Sequence, residues 1–269
     1  MIADLHTHST ASDGQYTPAE LVALTKERGI EVLAVTDHDT IDGVPEAMAA
    51  GERLGVRVLR GVELSADDHL YLHILGYNFS PAGLRTFLDG LQQRRDRRKH
   101  MIHDYLHEKG VDLDLTEVER LAQGNLIGRP HFAQAMYNAG LVKTRNEAYA
   151  LYLDTPEFHR IDTGRPTAET CVKTLKDSGA KVSLAHPCQI VLRGETLEEL
   201  IRRLCGYGLD AIECYYTKHT PEQQSEYLRL AAGYGLHITG GSDFHGEQTK
   251  PDYPLSGLEL KLDWLLNQP

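Results

Sequence analysis

His6 and His8 stand two residues apart in Asp4-Leu5-His6-Thr7-His8, a spacing that on a strand turns both imidazoles to one face. Asp13, His38, Glu63, His73, His186, Asp243 and His245 are the other residues whose types could join them in chemistry. Taken singly, a histidine is more often an ordinary polar or interfacial residue than a ligand. Six imidazoles and three carboxylates gathered in one place are another matter. Without an ion they would set lone pairs and like charges against one another, and burial would shift their pKa values and destabilise the fold. Divalent cations remove that conflict, and a mixed His/carboxylate donor set suits Zn2+, Mn2+ or Fe2+. Cys171, Cys188, Cys205 and Cys214 form no Cys-x-x-Cys pair. They read as reduced thiols in or near the core rather than as a zinc ribbon.

The elements that must gather these side chains alternate between short apolar runs and helical patterns, as in βα units around parallel strands. Strands are expected near Ile2–Leu5, Val32–Thr36, Val56–Val62, Leu70–Leu75, Val182–Ala185, Ala211–Glu213 and His237–Thr239. Helices fit Pro18–Arg28, Val44–Leu54, Thr167–Ser178, Leu197–Gly206 and Pro221–Tyr234, with Pro18 and Pro221 near helix starts, where a missing N–H costs little. On this map His6 and His8 follow the first strand, Asp13 lies in the next loop, and Asp37-His38-Asp39 follow the second. Glu63 follows the third, His73 lies late in the fourth, His186 ends the fifth, and Asp243 and His245 follow the seventh. In a β/α barrel the C-terminal strand ends converge on one mouth, where active sites of this architecture lie.

The alternation breaks between Ser80 and Arg165, where only helical patterns occur: Gly83–Lys109, Leu115–Ala122, His131–Ala139 and Asn146–Leu153. The expected organisation is a discontinuous barrel of residues 1–79 and 166–269, with residues 80–165 as a helical insertion capping the active site. A formal charge of −11 argues against coating nucleic acid or holding duplex DNA, although it leaves out any bound ions. No apolar run reaches the ~18 residues of a membrane span. The Met1-Ile2-Ala3-Asp4 start lacks a basic flank and an apolar segment, so a cytoplasmic location is expected.

His6-x-His8, Thr36-Asp37-His38-Asp39, Gly61-Val62-Glu63, His73-Ile74-Leu75-Gly76-Tyr77, Ala185-His186-Pro187 and Gly240-Gly241-Ser242-Asp243-Phe244-His245-Gly246 together resemble the PHP (polymerase and histidinol phosphatase) family. Within it, Gly128-Arg129-Pro130-His131 is similar to the branch of nucleoside 3′,5′-bisphosphate phosphatases and the related RNase AM type of 5′–3′ exoribonuclease. The resemblance implies a distorted seven-stranded β/α barrel holding two or three divalent ions, Mn2+ first, with Zn2+, Fe2+ or Mg2+ as alternatives. It implies that His6, His8, Glu63 and Asp243 hold one ion, that Glu63 bridges to a second completed by His73 and His186, and that Asp13, His38 and His245 hold a third.

Such a site would draw a phosphate dianion despite the acidic chain, and paired ions can orient a hydroxide in line with phosphorus while neutralising charge on the phosphoryl oxygens. No covalent enzyme intermediate is expected. Asp37 and Asp39 read as partners that orient a ligand histidine, or as turn and cap residues. Arg129, with a planar fork for phosphate oxygens, and His131, able to protonate a leaving oxygen, are the substrate and catalytic candidates beside Glu63. The plain alternative is that Arg129-Pro130 only starts a helix. Arg95 and Arg98 share the helical stripe of Leu84, Leu88, Leu91, Ile102 and Tyr105, and could reach a second phosphate or a following nucleotide; packing of their stems is the alternative.

The first functional expectation is hydrolysis of a phosphate ester of a nucleotide, namely the 3′-phosphate of nucleoside 3′,5′-bisphosphates, with 5′–3′ exonuclease action on short oligonucleotides. Histidinol phosphate or another small phosphoester is the second. An amidohydrolase ranks below these, because no lysine sits at an expected strand end to bridge metals. A non-catalytic, metal-holding regulatory module is the rival from another class.

Overall fold

In the computed structural model, residues 1–122, 127–161 and 163–267 are described. The strands are β1 (Ile2–Thr7), β2 (Val32–Val35), β3 (Arg57–Ser65), β4 (His73–Tyr77), β5 (Lys181–Leu184), β6 (Ala211–Tyr216), β7 (His237–Gly241) and β8 (Leu258–Glu259). The helices are α1 (Pro18–Glu27), α2 (Val44–Leu54), α3 (Pro81–Glu108), α4 (Leu115–Ala122), α5 (Arg129–Asn138), α6 (Arg145–Ala148), α7 (Ala168–Asp177), α8 (Leu197–Tyr207), α9 (Pro221–Gly233) and α10 (Asp263–Leu266). The chain divides into two compact units: Met1–Leu88 with Pro166–Pro269, and Asp89–Arg165.

The first unit is built on one sheet of order β7-β6-β5-β4-β3-β2-β1-β8. β2 is buried at every position, as a parallel strand covered on both faces must be. Thr17, Thr196 and Thr220 cap α1, α8 and α9 through reciprocal bonds with Glu20, Glu199 and Gln223, which fixes where each helix leaves its loop. Just past β7 the chain turns against β1: Asp243 N donates to His6 O at 2.8 Å and His8 N to Phe244 O at 2.9 Å. The sheet thereby nearly closes into a barrel. Gly241 makes that closure possible, since a Cβ there would stand 2.3 Å from the Cβ of His6.

Several features depart from the sequence expectation. An eighth strand pairs Leu258 and Glu259 antiparallel with Ala3 and Ile2; two residues are too short to show any periodic signal. The second concerns β4, which begins at His73 and runs antiparallel to both β3 and β5. Only residues 66–72 join β3 to β4, whereas a parallel crossover needs a dozen residues or more. His73 is therefore the first residue of its strand, not a late one. It still reaches the mouth, because its partner in the ladder is Ser65, at the C-terminal end of β3. Strands β1 and β3 also run further than expected, through His6 to Thr7 and through Glu63 to Ser65.

The second unit is helical. Its core gathers Ile102, Leu106, Phe132, Met136, Leu153 and Phe158 among other apolar residues. In α3 the stripe of Leu84, Leu88, Leu91 and Ile102 is buried, and Arg95 and Arg98 on the same stripe are half-buried. α6 passes directly into a π turn over Tyr149–Leu153, where the sequence suggests one regular helix. Among the described residues no helix is long and apolar enough to cross a membrane.

Candidate metal centre

All nine residues singled out at the strand ends belong to the first unit, and their donor atoms meet around Glu63. Its Oε1 lies 3.3 Å from His6 Nε2, 2.9 Å from His73 Nδ1 and 3.0 Å from His186 Nε2. Its Oε2 lies 3.2 Å from His8 Nε2 and 3.0 Å from His38 Nδ1. One carboxylate thus faces five imidazoles. Asp243 Oδ1 closes the group on the β7 side, 3.3 Å from His8 Nε2 and 3.7 Å from His6 Nε2. On the outer side Asp13 stands 3.3 Å from His245 Nε2, 3.8 Å from His8 Nδ1 and 3.9 Å from His38 Nε2.

Three overlapping donor sets could each hold an ion: His6, His8, Glu63 and Asp243; His8, Asp13, His38 and His245; and His38, Glu63 and His73. His186 Nε2 stands beside two members of the last set, 3.2 Å from His73 Nδ1 and 3.0 Å from Glu63 Oε1. The donor chemistry fits divalent cations on a direct test. His6 Nε2, both ring nitrogens of His8, His38 Nδ1, His245 Nε2 and Glu63 Oε2 are buried with no hydrogen-bond partner, and buried polar atoms are rarely left so.

The electrostatics repeat that point. Burial resists a charge on His6, yet Glu63 and Glu213 outweigh it and raise its pKa well above the ordinary range. Burial likewise opposes charge on His8, but Asp243 and Glu63 lift it to about 9. His38 moves the other way: burial holds it well below the usual value, with His8 and His73 adding to that against the pull of Glu63 and Asp13. Burial works against the ionised form of Glu63, and the surrounding imidazoles still keep its pKa well below the carboxylate range.

Backbone strain accompanies the site. Asp39, His186 and Asp243 all take positive φ, at 51°, 24° and 57°, a region costly for residues with side chains and concentrated at functional sites. His38 is set by a continuation of the β2–β3 ladder, with Asp39 N donating to Glu63 O at 2.9 Å. Asp37 and Asp39 serve the loops. Asp37 accepts from Ser9 N and Ser9 Oγ at 2.7 Å and from Ser12 Oγ at 2.6 Å, and Asp39 accepts from Ser65 N at 3.0 Å.

A further carboxylate placed to orient a ligand candidate escaped the sequence reading. Glu213, fully buried on β6, faces His6 Nδ1 at 3.0 Å and accepts from His186 N at 2.7 Å. Its signal was present, since a lone acid inside Ala211-Ile212-Glu213-Cys214-Tyr215-Tyr216 must find a partner when buried. Tyr216 and Lys250 were missed too: both donate to Asp243 Oδ2, at 3.0 Å and 3.3 Å.

In the second unit, Arg129 opens α5, donates to Asp154 Oδ1 at 3.0 Å and lies over the Tyr149 ring. His131 Nδ1 accepts from Gly128 N at 3.1 Å. Helix initiation is thus one duty of this segment. Arg98 donates to Ile161 O at 3.0 Å and lies over Phe158, the packing alternative for that residue.

Comparison with known proteins adds independent findings. The PHP domain family matches residues 4–155. A 5′-3′ exoribonuclease of Haemophilus influenzae is 31% identical over 96% of this chain and 92% of its own length. A phosphoribosyl 1,2-cyclic phosphate 1,2-diphosphodiesterase of Eggerthella lenta is 32% identical, covering 92% and 95%. A 3′,5′-nucleoside bisphosphate phosphatase of Chromobacterium violaceum is 30% identical, covering 90% and 86%. A solved structure from Bifidobacterium adolescentis, 31% identical, superposes with a TM-score of 0.78 over 94% of this chain and 90% of that one.

Proposed function

Because this chain belongs to the PHP domain family of metal-dependent phosphoesterases, we propose that it hydrolyses phosphate esters of nucleotides. The first substrate class is nucleoside 3′,5′-bisphosphates, cleaved at the 3′-phosphate, with 5′–3′ removal of nucleotides from short RNA beside it. The observation that carries the reading is Glu63, whose two oxygens divide five imidazoles into sets on either side of one carboxylate. A carboxylate placed so can bridge two ions.

His6, His8, Glu63 and Asp243 would hold one ion, Glu63, His73 and His186 a second, and Asp13, His38 and His245 a third, with Mn2+ the first choice of metal. Divalent ions in such a site supply Lewis acidity toward phosphoryl oxygens and activate water near neutral pH. The chain's own part is to fix the donors: Glu213 holds His6 by the nitrogen away from Glu63, and Tyr216 holds Asp243 by the oxygen away from His8. In this reading Arg129 takes phosphate oxygens with its fork, and His131 gives a proton to the leaving oxygen. The names of the relatives from Haemophilus influenzae and Chromobacterium violaceum support a nucleotide or RNA substrate; that of the Eggerthella lenta relative brings a cyclic sugar phosphate into consideration.

The test is phosphate release by Mn2+-loaded protein from adenosine 3′,5′-bisphosphate, AMP, histidinol phosphate, 5-phosphoribosyl 1,2-cyclic phosphate (read by product analysis) and a 5′-phosphorylated short RNA. The bisphosphate is expected to give the highest kcat/KM. Best turnover of histidinol phosphate or of the cyclic phosphate would replace the nucleotide reading, and no turnover of any ester would remove the enzymatic one.

A further inference from the structure

Beside Asp243, on the rim of the barrel unit, two lysines share one aromatic ring. Lys250 Nζ lies 5.4 Å and Lys218 Nζ 4.7 Å from the centre of Tyr253. Lys250 also reaches Asp243 Oδ2 at 3.3 Å, with its side chain still 35% exposed. Lys218 is exposed and makes no ion pair among the described residues. Two ammonium groups beside one ring repel each other, and only one of them meets a carboxylate. That carboxylate is itself committed: its Oδ1 faces His8 and His6, and its Oδ2 already accepts from Tyr216.

The arrangement is held from the backbone. Lys250 N donates to Gly246 O at 2.9 Å, Tyr253 N to Lys250 O at 3.1 Å, and Gln248 N to Gln15 Oε1 at 2.9 Å. Gly246 takes a φ of +108° and packs so close to Gln15 that a Cβ would meet it at 2.3 Å. On the other side, Thr217 Oγ1 donates to Ser242 O at 3.2 Å, which fixes the position of Lys218 beside the β7 turn. Lys250 is thus presented by a tied loop at the outer oxygen of Asp243, and Lys218 shares the Tyr253 ring with it.

We propose that Lys218 and Lys250 form an anion seat on the barrel rim that takes a substrate phosphate other than the one being hydrolysed. The proposal rests on the nucleotide reading above and names where the second phosphate of a bisphosphate, or the next phosphodiester of an RNA, is held. Lysine suits this task as a mobile point charge with three donors. Of the two sequence candidates for a second phosphate, Arg95 and Arg98, the latter is engaged with Ile161 and Phe158.

The experiment compares wild type with Lys218→Met, Lys250→Met, the double variant and Lys250→Arg, measuring bound metal per chain and kcat and KM for adenosine 3′,5′-bisphosphate and adenosine 3′-monophosphate. Each methionine variant is expected to lower the bisphosphate-to-monophosphate ratio of kcat/KM about tenfold, chiefly through KM, as for loss of one charged hydrogen bond. Metal content should hold, and Lys250→Arg should recover most of the ratio. An equal loss on both substrates, or a fall in metal content with Lys250→Met, would show that Lys250 serves only Asp243 and would overturn the seat. If wild type releases phosphate from neither nucleotide, the functional reading has failed, and calorimetric binding of inorganic pyrophosphate against inorganic phosphate then decides the seat alone. A pyrophosphate preference in wild type that the double variant loses supports it; no preference in wild type rejects it.

Discussion

At the mouth of the barrel unit, His6, His8, Glu63 and His245 are buried with nitrogen or oxygen atoms that have no hydrogen-bond partner. The central cluster of the helical unit, from Ile102 and Leu106 through Phe132 and Met136 to Phe158, is apolar throughout. The second kind of interior is complete as the chain folds it, because apolar burial needs nothing further. The first is complete only when something accepts the lone pairs that converge on Glu63. The two units should therefore respond differently to the same perturbations.

The largest effect is expected from Glu63→Gln, which keeps the shape but removes the charge that faces five imidazoles. Phosphate release should fall roughly 10³-fold or more, with loss of bound metal; wild-type turnover in this variant would mean that the cluster is not where chemistry occurs. Chelation should come next. An ion present at about 1,000 times its Kd contributes about 4 kcal/mol to the state that binds it, so stripping metal should lower the thermal midpoint. By hydrogen exchange the loss of protection should concentrate in β1, β3 and β7. Equal loss across the core of the helical unit would break the contrast.

Phe132→Ala reverses the experiment. Deleting a fully buried ring should cost about 3–5 kcal/mol, lowering protection around α4 and α5 while bound metal per folded chain stays at the wild-type value. The smallest effect sharpens the picture within the barrel. Glu213→Gln leaves every metal donor in place and removes the charge that orients His6, so metal affinity should fall about 10–100-fold, read by competition with a chelating dye. No change would reduce Glu213 to a packing residue.

Much of this was legible in the sequence because the signals were local. Val32-Leu33-Ala34-Val35 and the runs like it announce buried strands, and prolines and threonines mark helix starts at Pro18 and Pro221. The candidate donors could be grouped for a related reason: most lie at or near a strand end, and Asp13 lies in the loop after β1, so placing the strands brought them to one end of the sheet. What did not show was long-range. The direction of β4 depends on how residues 66–72 turn, and β8 exists only because β1 offers an edge. Glu213 and Tyr216 act on residues distant in the chain, His6 lying 207 positions from Glu213 and Asp243 27 from Tyr216, and no spacing rule links such pairs. Lys250 is only seven positions from Asp243, and their meeting depends on how the loop after β7 turns back.

The reversed β4 bears on how this chain can vary through descent. For the parallel strands, a donor at a C-terminal end precedes its loop, and lengthening that loop leaves the donor where it was. His73 instead comes after its loop and is set by pairing with Ser65. A slip of a single residue in that pairing would turn His73 to the opposite face of the sheet and bring Ile74 to the mouth. Insertions and deletions between Ala66 and Leu72 would thereby be screened by the candidate metal centre. The hairpin should be the least length-tolerant connection of the barrel, although it is neither the most buried nor the richest in donors.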